Sequence, residues 1–415
     1  MKKIEQTLLF LTLLFLPTQL GRHFWPDFSL VYSLRIDYLS PTIYFWDLLV
    51  LSLVSIRIIT VINWTALNLL LFFLLSQLIS LLPSASSGSI GIGLVRFEQY
   101  VIAGFFGVYI ASLDFKKVKN IFFWALTLAV LIESVLAIAQ FLRAETLGLW
   151  ILGERTFSIS TPAIAKFDFY SNQFLRPYAT FPHPNVLAAF LVLSIVILNS
   201  IQDLYRFRIK SGMTMITTFL AGLAIALTVS RAAILVGVFS ALVLLKRKWL
   251  ILFLLGLLLI SPYLYPRFSS VLNFDNLTLL RREQLSKLAF QMWSSSPIFG
   301  IGLNNFILSS AGNLVIGPSR FLQPVHNIFL LSLVETGVIG VIGVIGLIGY
   351  PIYRLIKGKF EGRKVLLTVW GLIIFLGMFD HYFLTLPQGY RILFLIWGLS
   401  ISIISSKITT NAKPP

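Results

Sequence analysis

The stretch MTMITTFLAGLAIALTVSRAAILVGVFSALVLLK, residues 213–246, is an apolar run interrupted only by Ser230-Arg231. As one helix rising 1.5 Å per residue it would be about 50 Å long, too long for a bilayer core of about 30 Å. Two spans joined by a tight turn at Ser230-Arg231 fit. The choice fixes the parity of everything that follows. With two spans, Lys246-Arg247-Lys248 and the later group Arg354, Lys357, Lys359, Arg363 and Lys364 fall on one side of the membrane. With one span, the later loops would invert and the five basic residues of 354–364 would lie on the wrong side.

Working outward, the composition agrees with a membrane protein. The 415 residues are 57% hydrophobic and 12% charged, against about 45–50% and 25% in soluble domains. Apolar runs of roughly 20 residues predict helices rather than the short alternating segments of a barrel. Twelve spans are expected, near 4–20, 44–62, 64–82, 96–113, 118–142, 183–201, 213–230, 231–246, 249–266, 327–353, 363–383 and 388–406. The expected fold is an all-α integral membrane protein, a single polytopic bundle over 1–415. The apolar start lacks a small-residue cleavage site and is read as a retained first helix.

Nineteen of the thirty-three basic residues then lie in short cytoplasmic loops, with both termini also inside. The net charge of +17 therefore reflects orientation, and no nucleic acid is expected as a partner. The inner face carries thirteen lysines and six arginines, whereas twelve of the fourteen outer basic residues are arginines. Lysine suffices for orientation, while arginine suits a planar fork that holds phosphate or carboxylate. An anionic ligand on the outer face is expected.

Two outer loops are long, 143–182 and 267–326. The second holds an amphipathic segment, with Leu285, Leu288, Ala289 and Met292 on one face and Gln284, Lys287 and Gln291 on the other. Loops of this length with many aromatics are functional more often than disordered.

His326, in Val325-His326-Asn327-Ile328-Phe329-Leu330, sits where the long loop re-enters the membrane. It is either a general base or an interfacial residue beside a helix cap. Arg176 precedes a turn stiffened by Pro177, Pro182 and Pro184, as an anion clamp or as part of a packed turn, and His183 between two prolines reads as structural. Arg231 at a hairpin apex serves an anion or snorkels to headgroups. Glu335 lies too deep to orient His326 and is expected to brace the bundle, while Gly337, Gly340, Gly343, Gly346 and Gly349 read as packing residues. Asp380-His381 is an acid–histidine neighbour pair, but adjacent residues on a helix diverge, so no dyad is expected. The absence of cysteine excludes thiol chemistry. No zinc-ligand spacing, no Asp-x-Asp pair and no phosphate loop is present, so neither metal nor cofactor is expected.

Taken in order, four pieces resemble the O-antigen ligase/polymerase family of bacterial envelope proteins. They are Arg176 with Thr180-Phe181-Pro182-His183-Pro184-Asn185-x-Leu187-Ala188; Ser230-Arg231-Ala232-Ala233; Pro297-x-Phe299-Gly300-Ile301-Gly302-x-Asn304-Asn305-Phe306; and His326-Asn327-x-x-Leu330-x-x-x-x-Glu335-x-Gly337. Ala179 departs from the glycine expected before Thr180. The resemblance implies a metal-independent glycosyltransferase of the cytoplasmic membrane, acting on its outer face. It would move a glycan from a polyprenyl diphosphate carrier to an acceptor hydroxyl on another glycan or a lipid-linked core. On that pattern His326 is the base, Arg176 and Arg231 hold the diphosphate, and Arg281 and Arg282 are further candidates for it. Asn327, Glu335, His183 and Asn185 give structural support. Ligase and polymerase stay unresolved at this point. A transporter of an anion or lipid-linked sugar is the alternative from another class, disfavoured by the lack of an internal repeat and of midplane charge.

Overall fold

The computed structural model describes residues 1–57, 62–86, 89–170, 172–204, 211–269, 277–313, 315–316, 319–320 and 322–411. Arg206, Arg208, Lys210 and Lys413, counted above as cytoplasmic charge, lie outside these residues. The chain is α-helical, with only short two-stranded pairings between the helices. Among the described residues, six helices are long and apolar enough to cross a membrane: Trp64–Ser84, Ile90–Ala111, Phe115–Arg143, Arg247–Ser269, Ile328–Lys357 and Pro387–Ser405. Shorter apolar helices cover Pro184–Asn199, Gly212–Thr228 and Arg231–Leu244. The expected first span, 4–20, is helical only over Lys3–Leu14, because Pro17 cannot continue a helix and biases the residue before it to extended backbone.

The chain forms two compact units. The first comprises Met1–Leu20, Lys117–Asn276 and Glu361–Leu376. In it the deciding stretch forms two helices, Ser211–Thr228 and Arg231–Leu244. The break is made by Val229, whose φ of 49° is left-handed, a conformation that a β-branched residue adopts only when its surroundings compel it. Burial supplies that compulsion. Val229 is fully buried with Phe167 and Leu264, and Phe141, Phe169, Phe174 and Tyr263 pack around them.

A second knot shapes the 176–183 turn. Glu133 and Gln140, seven residues apart on one face of the Phe115–Arg143 helix, both reach its backbone. Glu133 accepts from the Thr180 amide (3.1 Å) and hydroxyl (2.8 Å). The Gln140 carbonyl oxygen accepts from the amides of Tyr178 (2.9 Å) and Ala179 (2.7 Å), and its Nε2 donates to the Ala179 carbonyl (3.0 Å). These bonds hold Ala179 at φ 50°, so the non-glycine residue sits where a left-handed backbone is required. Replacing Ala179 with glycine should relieve this strain and raise stability by up to about 1 kcal/mol. Thermal unfolding in detergent would show it as a higher midpoint, and a lower one would contradict the account.

The second unit comprises Gly21–Lys116, Leu277–Phe360 and Gly377–Pro415. Its Ile90–Ala111 helix packs against Trp64–Ile79 and Pro387–Asn411, and Ile328–Lys357 packs against Trp64–Ile79. The Leu277–Ser295 helix buries Leu285 and Ala289 against Phe306, Val325, Leu331 and Val334, leaving Gln284, Lys287 and Gln291 exposed.

The Ile328–Lys357 helix is broken at Gly337, at φ 61° and ψ −167°. Freed backbone groups at membrane depth must find partners, and the Pro297–Gly302 loop supplies them. Ile301 and Gly302 donate to the carbonyls of Val334 and Glu335, while Val338 and Ile339 donate to those of Pro297 and Ile298. The approach is so close that a Cβ at Gly337 would collide with the Ile298 carbonyl, and one at Gly300 with the Glu335 carbonyl. These glycines build a helix break, beyond the simple packing expected of Gly337. Gly343 and Gly346 do pack as expected, against Ser76 and Phe72.

Candidate active site

In the first unit, Arg176 is buried, with Nε donating to the Thr228 carbonyl (2.6 Å) and Nη2 to Asn185 Oδ1 (2.8 Å). A guanidinium thus caps the C-terminus of the Ser211–Thr228 helix, where positive charge is favoured. Two of its five donors are used in this way. His183 Nδ1 accepts from the Asn185 amide (3.1 Å) and fixes the start of the Pro184–Leu204 helix. Asn185 and His183 therefore hold Arg176 in place.

Among the described residues, the ionisable groups that act on Arg176 are Arg267, Arg231 and the phenols of Tyr178 and Tyr263. Burial, then Arg267 and Arg231, push the Arg176 pKa down to about 9. Arginines drawn this close repel one another, and an anion held between their guanidiniums would relieve that repulsion. Arg267 was missed in the sequence because it follows the last expected residue of a span, at the end of the Arg247–Ser269 helix. The Tyr263 hydroxyl nearby is buried and makes no hydrogen bond among the described residues. The apolar wall of Phe167, Phe169, Phe174, Val229 and Leu264 adjoins these groups in the chain and in space, and only 6% of the Arg247–Ser269 span is buried. A group of guanidiniums beside an aromatic wall and an exposed apolar helix suits an amphiphile with an anionic head.

In the second unit, Asn327 caps the Ile328–Lys357 helix, its Oδ1 accepting from the amides of Phe329 (2.9 Å) and Leu330 (3.0 Å). Its Nδ2 donates to the Met378 carbonyl (3.3 Å). The capping is done by Asn327, and the imidazole of His326 is half-buried beside it. The His326 ring meets that of His381 edge to face, with centroids 5.1 Å apart.

The expected separation of Asp380 and His381 rested on a continuous helix. That helix ends at Phe379, and His381 stands before the short helix Tyr382–Thr385. Freed from the helical repeat, the His381 ring turns back, with Nε2 3.9 Å from Asp380 Oδ1. Its Nδ1 lies 2.6 Å from Thr385 Oγ1. Burial holds the His381 pKa down near about 4, opposed by Asp380 and assisted by Arg282 and Arg96, so the ring is neutral at ordinary pH. One ligand atom each from His326, Asp380 and His381 lie within 4.8 Å of one another. Neighbours distant in sequence create this cluster, which no spacing rule could reveal.

Glu335 accepts from the amides of Asn304 and Phe306, the latter at 3.3 Å. It thereby ties the Gly300–Phe306 loop to the broken helix. Arg96, buried in an apolar span, donates to the Thr385 carbonyl (2.7 Å), to Gln99 Oε1 (2.8 Å) and to Asn304 Oδ1 (3.3 Å). An intramembrane arginine is a signal in itself, but it was overlooked as the first residue of an expected span. Of the other arginines expected to hold phosphate, Arg282 lies close enough to His381 to act on it electrostatically, and Arg281 is its half-buried neighbour.

Residues 216–345 match the family model described as O-antigen ligase. That segment is an O-antigen ligase domain. The match includes Ser230-Arg231, the Pro297–Phe306 loop, His326, Asn327, Glu335 and Gly337, but not the turn that carries Arg176. A search of curated proteins found no match to the chain. The match supports a membrane glycosyltransferase-like function of the ligase or polymerase type. It also gives the glycines of the helix break and the His-Asn cap a shared setting.

Proposed function

We propose that the protein transfers a glycan from a polyprenyl diphosphate carrier to an acceptor hydroxyl, on the extracytoplasmic side of the cytoplasmic membrane and without a metal. The observation that carries this is the convergence of Arg231 and Arg267 on the buried Arg176, three guanidiniums close enough to act on one another beside an apolar aromatic wall. A diphosphate fits the guanidiniums, and a polyprenyl tail fits the wall and the exposed Arg247–Ser269 helix. The outward placement rests on the sequence expectation of twelve spans with the basic loops in the cytoplasm.

In the reaction, His326 takes the proton of the acceptor hydroxyl as the oxygen bonds to the anomeric carbon. The carbon–oxygen bond to the carrier breaks, and polyprenyl diphosphate leaves with the electron pair. The three arginines stabilise the charge that develops on it. A lipid diphosphate is already an activated leaving group, so positioning and charge stabilisation suffice without nucleotide hydrolysis. Arg267 joins Arg176 and Arg231 as a diphosphate ligand, with Arg281 and Arg282 as further candidates for the same anion. The buried Tyr263 hydroxyl is a further donor.

The test is transfer by purified protein in lipid nanodiscs, using a labelled polyprenyl diphosphate-linked glycan and following release of the carrier. Product should form in the presence of chelator. Arg267→Gln should raise the donor KM roughly 10- to 100-fold, the 1.4–2.8 kcal/mol expected of one charge-assisted contact to phosphate. An unchanged KM would remove Arg267 from the site.

A further inference from the structure

We propose that His326, Asp380 and His381 form a binding site for a divalent transition cation of the zinc type, and that its occupation switches transfer off. This rests on the reading of His326 as the base. A metal takes the same imidazole lone pair that would accept the acceptor's proton, so the ion competes with the reaction and does not serve it.

The donor set is two imidazoles and one carboxylate, which suits zinc and leaves a fourth position open. The atoms lie within 4.8 Å of one another, against about 3.3 Å between the ligands of a tetrahedral zinc with bonds of about 2.0–2.1 Å. Small side-chain rotations close that difference. The surroundings of His381 point the same way. The Thr385 hydroxyl donates to the His381 carbonyl (3.1 Å), so its oxygen is left to accept from Nδ1–H (2.6 Å). That bond fixes the tautomer and leaves the lone pair on Nε2, the nitrogen facing Asp380. An oxygen holding the far N–H of a histidine is the usual support of a metal-binding imidazole. The Asp380 carboxylate is itself steadied by the His381 amide, which donates to Oδ1 at 2.9 Å.

Among the described residues, the other charges that act on His381 are Arg96 and Arg282. Both oppose an added cation, so binding is reversible and regulatory in strength, weaker than in a structural zinc site.

The experiment uses the full chain in nanodiscs, stripped with chelator, and reads zinc binding separately from catalysis. Zinc is titrated against a chromogenic chelator, and glycan transfer is measured over the same free-zinc range. The expected result is one zinc per chain, with transfer falling over the concentrations that fill the site and returning on chelation. Thr385→Val, which removes only the supporting oxygen, should weaken binding roughly 10- to 100-fold. Asp380→Asn and His381→Gln should weaken it at least as much. Binding that is indifferent to all three substitutions overturns the site, as does zinc that fills it without slowing transfer. Site-specific binding in a protein that never transfers glycan leaves the metal site standing and removes the proposed function instead.

Discussion

Replacing His326 with alanine is expected to abolish glycan transfer, with a fall of roughly 100- to 10,000-fold in kcat, the usual contribution of a positioned general base. The structure makes this substitution unusually clean. The competing role for a residue at this junction is helix capping, and that role belongs to Asn327, whose side chain accepts from Phe329 and Leu330. Removing the imidazole leaves the cap, the Met378 contact and the Pro297–Gly302 clasp in place. The thermal midpoint should therefore move little, and polyprenyl diphosphate should still bind. His326→Gln, which keeps size and polarity but accepts no proton at neutral pH, should be as inactive as alanine. Transfer by either variant at near wild-type rate would remove His326 from the chemistry. Loss of activity together with a collapse in stability would instead return it to a structural role.

Arg176→Ala is the second large effect. Two losses are combined in it. The Thr228 carbonyl and Asn185 Oδ1 lose their donor in a buried place, costing about 1–3 kcal/mol. The developing diphosphate charge loses one of its stabilising groups, worth roughly 100- to 1,000-fold in rate. Two companion variants separate these terms. Asn185→Ala removes one of the structural bonds without removing charge, and should lower the thermal midpoint while leaving donor KM within a few-fold of wild type. Arg176→Lys keeps a charge but cannot fork to both acceptors, so it should retain some donor binding with much reduced turnover. If Asn185→Ala impaired donor binding as severely as Arg176→Ala, the arginine would be a brace and the diphosphate site would lie elsewhere.

The arginines that the sequence reading assigns to the outer face have more than one use. Arg391 is fully buried, its guanidinium over the rings of Tyr44 (4.9 Å) and Trp46 (4.6 Å). Arg96 braces a loop, and Arg143 pairs with Glu145 on the surface. Arginine's planar fork serves packing as well as anion binding. A count by side of the membrane cannot separate the two uses. Their burial and neighbours do.

The helical membrane class and a break in the 213–246 run were legible in the chain itself, because hydrophobic length against bilayer thickness is a one-dimensional constraint; the turn was expected at Ser230-Arg231 and is made one residue earlier, by Val229. So were the Asn327 cap and the presence of His326 at a junction, since capping depends on residues within one turn. The gathering of Arg267 with Arg176 and Arg231 was decided by tertiary structure alone, as were the clasp of the Pro297–Gly302 loop on the broken helix and the return of His381 onto His326. Each depends on where a chain turns after a helix ends, and on which distant side chains then share a space from which water is excluded. Periodicity carries no information about that, because helix repeats say which face a residue occupies and not what stands opposite it.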